Sequence, residues 1–405
     1  MISRSMKESL KNSSLIRKMF EEGNRLKKLY GGENVFDFSI GNPDLEPPEA
    51  VVNAFKEIAA SEEPGTHKYM SNAGYLSTRQ AVADSLSDGA FVKPAPDDIV
   101  MTAGAAGAIN VALKAIIDPG DEVIVVTPYF VEYFAYIRNH GGIPKIVGCD
   151  RETFEIDFTS LAEALSVRTK AMIINTPNNP SGVVYSEDML RRLDAFLQAL
   201  DHTVYVISDE PYREVVFGDV CVPRTMDLIR NLIMCYSWSK TLALPGDRIG
   251  YLAVSPDCED HDDMIAACIT ANRSLGFVNA PAIMQRVIEK SIKAKVDIES
   301  YRRRCDMLYN VITSAGYKCF KPEGALYLFP KSPIEDDKAF IAVAAEYNLL
   351  LVPGSAFGMP GHFRATFCVD ERAITGSYKA FADSYRKAVG SKQNQGQINT
   401  KEQME

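Results

Sequence analysis

The feature that most constrains the fold is an alternation of short apolar runs with longer amphipathic segments through the first half of the chain. Five apolar runs have the length and composition of buried strands: 99–102, 122–127, 144–147, 171–175 and 204–208. Helical spacing of apolar residues occupies most of the intervals, at 105–117, 130–140 and 187–200. This alternation predicts an α/β fold with a mostly parallel sheet that is covered by helices on both faces. Ligands bind such sheets beyond the carboxyl ends of the strands.

A polar stretch, Ser-Trp-Ser-Lys-Thr at 237–241, separates two further apolar runs at 232–236 and 249–254. Burial at a strand end favours the neutral amine of a lysine such as Lys240, and a neutral amine can attack a carbonyl to form a Schiff base. The neighbouring hydroxyls and Arg248 suit a phosphate. Together these groups indicate pyridoxal phosphate, an aldehyde cofactor that carries a phosphate. The alternative is a surface lysine in a serine-rich loop.

Composition and charge exclude several classes of protein. The chain has 405 residues, of which 46% are apolar and 24% charged, and its net charge is −9. This acidic balance argues against sequence-independent nucleic-acid binding. We find no apolar stretch of about 18 residues, the length that a membrane helix needs, and no secretory signal, so we expect neither membrane insertion nor export.

Cysteine and histidine spacing gives no sign of a metal site or a disulfide framework. The eight cysteines form no Cys-x-x-Cys pair, and the five histidines lack metal-ligand spacing. Free thiols inside apolar segments behave as small hydrophobes. We therefore predict a reduced, cytoplasmic protein without a bound metal.

The loops that follow the predicted strands carry unusual residues. Small residues at 103–107, between a strand and a helix, let backbone N–H groups approach an anion, although they also permit tight packing. Phe130, near the start of the next helix, can lie against a heteroaromatic ring or pack in the core. Asn179 lies in the turn Pro-Asn-Asn-Pro-Ser-Gly at 177–182, where its amide can donate to a ring oxygen; the alternative is a plain surface turn.

Asp209 lies in Ser-Asp-Glu-Pro-Tyr at 208–212, directly after an apolar strand. A carboxylate at that depth needs a partner. A protonated pyridine nitrogen is suitable, since Asp209 would keep it cationic and so maintain an electron sink for a carbanion. The alternative is an aspartate that caps a helix.

The chain changes character after about residue 290, where a long charged helix over 291–314 precedes short strands. Arg364 lies in the last of these strands, between apolar neighbours, and suits a carboxylate through its planar fork; the alternative is an edge-strand arginine that reaches solvent. We predict a large domain at 45–290, a smaller α+β domain from 1–44 and 291–390, and a disordered polar tail at 391–405.

With these motifs assembled, the chain resembles the fold-type I pyridoxal-phosphate aminotransferases, in particular the class I/II group of aspartate, alanine and aromatic aminotransferases. The resemblance runs from about residue 16 to about residue 387 and implies a seven-stranded type of mostly parallel sheet. Four motifs in order carry it: Pro-Asn-Asn-Pro-Ser-Gly at 177–182, Ser-Asp-Glu-Pro-Tyr at 208–212, Ser-Trp-Ser-Lys at 237–240 with Arg248 eight residues later, and Arg364.

The resemblance implies a role for each matching residue. Lys240 would form the internal aldimine and then move a proton between the substrate α-carbon and the cofactor. Asp209 would pair with the pyridine nitrogen, and Phe130 would stack on the ring. The other implied cofactor contacts are Asn179 and Tyr212 to the phenolic oxygen, and Ser237, Ser239, Arg248 and backbone N–H groups of Gly104, Ala105 and Ala106 to the phosphate. Gly104 is followed by two alanines where many relatives have a hydroxyl or a lysine, so one side-chain contact to the phosphate is expected to be lost.

The same resemblance implies how substrates and subunits come together. Arg364 and Asn179 would bind the substrate α-carboxylate near the backbone of Gly41. Tyr69 resembles the tyrosine that reaches the phosphate of a neighbouring subunit, which implies a homodimer with shared sites.

The implied reaction moves the amino group of an L-amino acid to a 2-oxo acid such as 2-oxoglutarate. A dicarboxylate substrate needs a second cation, for which Arg273 is our candidate and Arg17 a weaker one; a solvated surface arginine is the alternative. The rival enzyme is a pyridoxal-phosphate-dependent C–S β-lyase, similar to cystathionine β-lyase. A transcription regulator would need an attached DNA-binding module, and a nucleotide-binding loop would need Gly-Lys-Ser/Thr after Gly104; we find neither.

Overall fold

The computed structural model describes residues 25–61 and 63–402, together with Ile2, Ser3, Met6, Lys7, Leu10 and Gly23, with side chains as far as residue 390. Most of the helix predicted over 1–30 lies outside the described residues, and so does Arg17. Residues 25–30 are helical, with Leu26 buried and Leu29 and Tyr30 exposed.

A seven-stranded sheet forms the centre of the larger part, in the order β2-β8-β7-β6-β5-β3-β4. Its strands are β2 (Ile99–Thr102), β3 (Glu122–Val126), β4 (Ile143–Val147), β5 (Thr169–Asn175), β6 (Tyr205–Asp209), β7 (Leu232–Ser237) and β8 (Gly250–Val254). Strand β8 runs antiparallel to both of its neighbours, and the remaining pairs are parallel. The predicted mostly parallel α/β sheet is therefore confirmed.

Helices cover both faces of this sheet because each strand alternates its side chains between two cores. In β3, Val123 and Val125 join one core, and Ile124 and Val126 join the other. The first core is closed by α3 (Gly104–Ile116), α4 (Tyr133–Asn139) and α7 (His261–Ser274). The second core is closed by α1 (Glu49–Ala60), α2 (Leu76–Ser87), α5 (Phe158–Ala164), α6 (Glu187–Gln198) and α8 (Ala282–Ser291).

The predicted boundaries hold best where a strand is apolar on both faces. Strand β2 occupies the predicted 99–102. The sequence also predicts a helix over 49–60, and α1 occupies that range. Helices α5, α7 and α8 were not predicted; α5 has only seven residues and so gives a weak periodic signal. The long helix predicted from 291 begins instead at Ile298, where Asp297 accepts a hydrogen bond from the backbone N–H of Ser300.

A separate core unites the N-terminal segment with the last third of the chain. Its elements are β1 (Phe36–Asp37), α9 (Ile298–Ser314), β9 (Tyr327–Leu328), α10 (Asp337–Ala345), β10 (Leu349–Leu350), β11 (Val352–Pro353), β12 (Phe363–Thr366), α11 (Glu371–Gly376) and α12 (Tyr378–Glu402). Strand β1 pairs with β10, and β12 lies between β11 and β9. We propose on this grouping that the two domains have the boundaries expected above, although Tyr212, Val215 and Phe217 also join this core.

The C-terminal segment differs from the expected disordered tail. The backbone of α12 continues as a helix to Glu402. Nothing between 391 and 402 forces the helix to end, since the segment holds one glycine and no proline, and lysine and glutamine are good helix formers. Among the described residues, no helix is both long enough and apolar enough to cross a membrane.

Candidate active site

The carboxyl ends of β5, β6 and β7 bring three of the sequence motifs to one edge of the sheet. In the register of these parallel strands, Asn175 lies opposite Asp209, and Asp209 lies opposite Cys235. The side chain of Asn175 donates a hydrogen bond of 2.8 Å to the backbone carbonyl of Asp209. It also accepts one of 2.6 Å from the backbone N–H of Asn179. Asn175 therefore ties the turn at 177–182 to the strand that carries Asp209.

Asp209 is a buried carboxylate with only half of its hydrogen-bonding capacity used. The hydroxyl of Tyr133 donates to Oδ2 at 2.6 Å, while Oδ1 has no partner among the described residues. Burial raises the pKa of Asp209 to about 7, against the lowering effect of the Tyr133 hydrogen bond. An unpartnered buried carboxylate oxygen is costly, so this geometry favours a ligand that presents a cationic N–H.

Lys240 lies just beyond β7, and its side chain reaches the N-terminal segment that follows β1. Its Nζ donates a hydrogen bond of 3.0 Å to the backbone carbonyl of Gly41. Gly41 has no room for a side chain, because a Cβ there would overlap the ring and hydroxyl of Tyr327. The absence of a side chain at 41 thus keeps the lysine amine next to the backbone of the smaller domain.

A cradle of hydroxyls, backbone and one guanidinium lies beside Lys240. The hydroxyls of Ser237 and Ser239 are 2.6 Å apart. Arg248 donates from Nη1 to the carbonyl of Pro245 at 2.9 Å and from Nη2 to that of Ala103 at 3.2 Å. Both acceptors are neutral, so the charge of Arg248 remains available to an anion.

Helix α3 begins at Gly104 within this cradle, and its first N–H groups add to the attraction for an anion. Gly104 has φ +76°, and a Cβ there would lie 2.7 Å from Nη2 of Arg248. Only glycine therefore fits between the helix start and the guanidinium. Ala105 is buried and Ala106 half-buried in the first turn of the helix, so this part of the cradle offers backbone rather than side-chain donors.

Arg364 is a second buried charge, placed on β12 opposite the sheet edge. It donates from Nη1 to the side-chain oxygen of Asn179 at 3.1 Å and from Nη2 to the backbone carbonyl of Ser39 at 2.9 Å. The rings of Tyr327 and Phe357 lie 4.4 and 4.8 Å from its guanidinium carbon. Its Nε has no partner among the described residues. A guanidinium held by neutral acceptors and rings is prepared for a carboxylate.

Tyr212 and Phe130 complete the walls of the site. The hydroxyl of Tyr212 lies 3.2 Å from that of Tyr327, and both side chains are buried. Burial raises the pKa of Tyr212 well above its usual range, so it is a neutral phenol that can donate a hydrogen bond. Phe130 is half-buried, with its ring 5.6 Å from that of Tyr133 in an edge-on arrangement.

Two of the predicted site residues lie away from the cluster formed by Lys240, Asp209 and Arg364 within one chain. Tyr69 is 88% exposed, and Arg273 is exposed in the last turn of α7. Neither contacts Lys240, Asp209 or Arg364 in the described hydrogen bonds and ion pairs. Their roles stay predictions, as do the ligand contacts expected for the residues that the fold does bring together.

Sequence reasoning missed three residues of the site. Tyr133 follows Phe130 by three positions, so helical spacing could have suggested that both side chains face the ligand. In the sequence alone, however, Tyr133 is indistinguishable from a tyrosine of the hydrophobic core. Asn175 is the last residue of a predicted apolar strand, and its position gave no sign that its side chain links two motifs. Tyr327 lies in a motif that marked the second domain, yet its contact with Gly41 joins residues 286 positions apart and leaves no local signal.

Comparison with known proteins gives consistent matches over nearly the whole chain. Residues 33–377 match the family described as aminotransferase class I and II. A probable aspartate/prephenate aminotransferase of Aquifex aeolicus is 32% identical over 361 residues, which cover 85% of this chain and 89% of that protein. The aspartate aminotransferase of Bacillus subtilis is 30% identical over 351 residues, which cover 83% of this chain and 87% of that protein.

Solved structures agree with these matches. The crystal structure of an amino transferase from Eubacterium rectale has a TM-score of 0.92 and 38% identity and covers 96% of this chain and 99% of that one. The aspartate aminotransferase of Thermus thermophilus with maleate has a TM-score of 0.83 and 26% identity, covering 95% of this chain and 99% of that one.

Proposed function

The chain belongs to the class I and II aminotransferase family, and we propose that it moves the amino group of L-aspartate to 2-oxoglutarate. Membership makes it a pyridoxal-phosphate-dependent transaminase. The choice of aspartate draws on the relatives named aspartate aminotransferase. The observation that carries the proposal is the unpartnered, buried Oδ1 of Asp209, on the same sheet edge as the amine of Lys240.

The residues present fit pyridoxal phosphate at each of its functional groups. Asp209 Oδ1 suits a protonated ring nitrogen, and a cation there would lower the pKa of Asp209 and keep it ionised. Ser237, Ser239, Arg248 and the start of α3 form a cradle for the phosphate. When bound, the cofactor supplies an electron-withdrawing ring that stabilises negative charge at the substrate α-carbon.

The chain's own residues hold the substrate and move the proton. Arg364 binds the α-carboxylate with its fork, while Asn179 holds the guanidinium in place. This contact orients the α-hydrogen toward Lys240, whose Nζ takes the proton as a base and later returns it as an acid. The carbonyl of Gly41 steadies that amine between the two transfers. Orientation and proton transfer therefore come from opposite domains.

A homodimer with shared active sites is the second part of the proposal. The loop that carries Tyr69 and the segment that follows Arg273 are tied together: Asn72 donates to the carbonyl of Val278 at 2.9 Å, and Asn279 donates to that of Ser71 at 2.7 Å. Tyr69 and Arg273 therefore lie on one exposed surface, which we propose faces a second copy. Analytical ultracentrifugation should give twice the chain mass of 44.7 kDa. A monomer that is active at the same dilution would contradict the shared site.

The direct test of the transaminase is a half-reaction. We expect aspartate alone to remove the visible band of the holoenzyme without releasing ammonia, and 2-oxoglutarate to restore it. Lys240→Ala should abolish turnover, because the base is lost. Sustained ammonia release with an unchanged band would identify a β-lyase instead, an alternative that none of the named relatives supports.

The dicarboxylate preference is tested at Arg273. We expect Arg273→Ala to raise the KM for aspartate about tenfold or more while leaving the KM for alanine nearly unchanged, because only aspartate has a second carboxylate. Equal effects on both substrates would show that Arg273 does not read the side chain. We also propose a cytoplasmic location, on the ground that all eight cysteines are free thiols.

A further inference from the structure

A cavity of about 620 Å³ lies away from the active site, on the face of the sheet that carries α2 and α6. It is closed by Leu86 of α2, by the loop 213–228 that follows β6, and by side chains of β7 and β8. None of the residues placed at the active site above lines it. Its volume is within the range of small-molecule sites, which is roughly 300–1,000 Å³.

Three aromatic rings form one wall of this cavity. Tyr236 and Trp238 alternate along the chain with Ser237 and Ser239, so they point away from the phosphate cradle into the opposite face. The ring of Tyr251 is stacked on that of Tyr236 at 5.1 Å, and the ring of Trp238 lies 5.4 Å from both. The three side chains are only 3–5% exposed, so the part of the wall that is open to a ligand is narrow and suits edge-to-face contact with a ring.

The polar side of the cavity is biased toward anions. Four cationic and three acidic side chains line it, a positive excess in a chain whose net charge is −9. Arg213 already pairs with Glu210 at 2.6 Å, and Arg224 donates to the backbone carbonyls of Leu86 and Asp88. Lys295, by contrast, interacts electrostatically with Glu214 but makes no hydrogen bond or close ion pair with the described residues, so its ammonium group can still donate hydrogen bonds to a ligand.

Glu214 is the acidic side chain of the cavity lining that interacts electrostatically with Lys295. Burial raises the pKa of Glu214, against the lowering effects of Lys295 and the Tyr236 hydroxyl. The Tyr236 hydroxyl lies 3.3 Å from its Oε2. Glu214 and Lys295 therefore attract each other across the lining of the cavity, and the Tyr236 hydroxyl occupies one oxygen of Glu214.

We propose that this cavity is a second ligand-binding site, which takes a small carboxylate with a ring-sized apolar body. The ring lies against Trp238 and Tyr251, and the carboxylate is held by Lys295. This chemistry is distinct from that of the active site, where Arg364 and the cofactor cradle face the other side of β7.

The walls of this site are anchored to the residue that follows the catalytic lysine. The hydroxyls of Tyr236 and Thr241 are 2.9 Å apart, and the backbone N–H of Val296 donates to the carbonyl of Thr241 at 3.0 Å. Lys295 and Tyr236 thus belong to the two segments that hold Thr241 next to Lys240.

Trp238 is the only tryptophan in the sequence and reports directly on this wall. The experiment titrates phenylacetate into the holoenzyme while saturating succinate occupies the active site, and follows tryptophan emission. We expect a saturable change with a dissociation constant that is roughly millimolar, as for other ligands of this size. Phenethyl alcohol, which lacks the carboxylate, should bind about tenfold more weakly.

Lys295→Met and Lys293→Met form a matched pair of variants. Both lysines are exposed and lie two positions apart, but only Lys295 lines the cavity. We expect Lys295→Met to weaken phenylacetate binding about tenfold and Lys293→Met to leave it unchanged. An emission change that does not saturate, equal binding of the acid and the alcohol, or equal affinity in the two variants would each overturn the proposal.

Discussion

Asp209 lies in the seven-stranded sheet and Arg364 in the three-stranded sheet, and they face the same site. Neither has an oppositely charged side chain as an ion-pair partner among the described residues. Asp209 accepts a hydrogen bond from the phenol of Tyr133, and Arg364 donates to the oxygens of Asn179 and Ser39. Each leaves one buried polar atom unpartnered. Burial of an unpaired charge is destabilising, so both groups are balanced only when ligands bind.

The two charges differ in how they can respond when no ligand is present. Burial raises the pKa of Asp209 to about 7, so this carboxylate can become neutral by taking up a proton. Burial also lowers the pKa of Arg364, but a guanidinium stays charged throughout the range in which proteins are stable. The cofactor side of the empty site is therefore sensitive to pH, and the substrate side is not.

The largest effect is expected from Asp209→Asn. This change keeps the shape of the side chain but removes the charge that faces the ring nitrogen, and we expect kcat to fall roughly 10²–10³-fold, as when other charge-stabilising groups are removed. Steady-state kinetics with saturating cofactor measures it. Asp219→Asn, at an exposed aspartate after β6, is the control. A kcat close to that of the wild type would mean that Asp209 does not act on the cofactor.

The pH dependence of apoenzyme stability tests the difference between the two charges. The folded pKa of Asp209 is about 7, above the ordinary 3.8, so the folded state binds more protons between these values. The free energy of unfolding of the apoenzyme should therefore fall as pH rises through this window, by up to roughly 4 kcal/mol. Denaturant unfolding at pH 5 and pH 8 measures the upper two pH units of this window, for which the expected change is roughly 3 kcal/mol.

Asp209→Asn should remove that part of the pH dependence, and Arg364→Met should retain it. Bound cofactor should also suppress it, because a cation beside Asp209 keeps the carboxylate ionised. The same slope in wild type and Asp209→Asn would locate the titration elsewhere.

A somewhat smaller effect is expected from Arg364→Met. Loss of the guanidinium removes a charge-assisted contact to the substrate carboxylate, so we expect the KM for aspartate to rise about 100-fold, or nearly 3 kcal/mol. Cofactor affinity, followed by the visible spectrum, should change little. Arg364→Lys keeps the positive charge but loses the planar guanidinium, so its KM for aspartate should lie between those of the wild type and Arg364→Met. An equal loss of cofactor binding would show that the two sides of the site are not separable.

The smallest effect is expected from Tyr133→Phe. The change removes one hydrogen bond to the Asp209 carboxylate, worth about 1 kcal/mol, and should raise the pKa of Asp209 further. The pH at which the apoenzyme loses stability should move upward, and kcat should fall by less than about tenfold. Tyr136→Phe, one turn-length away and without a described side-chain hydrogen bond, serves as the control. The same kcat and the same pH dependence of stability in both variants would contradict a role of the Tyr133 hydroxyl in stabilising the Asp209 carboxylate.

The parts of the fold that could be predicted are those with a strong local pattern. Strand β2 has the predicted bounds because it is a short apolar run that is buried on both faces, and helix α1 has them because its buried residues have helical spacing. The Lys240, Asp209 and Asn179 motifs were recognisable because unusual polar residues follow apolar strands. Helix α8 was overlooked although Met284, Val287 and Ile288 have helical spacing and form one buried face, which packs against α1 and α2.

The sequence by itself determined the fold class, the family and the order of the chemical groups, since these depend on periodicity and on short motifs. Only the tertiary structure decided which oxygen of Asp209 lacks a partner, that Tyr327 leaves no space for a side chain at Gly41, and that Tyr236 and Trp238 open onto a separate cavity. These facts depend on contacts between residues far apart in the chain. Local propensity carries no information about such contacts, because they arise from the packing of the two domains and from the pairing of strands.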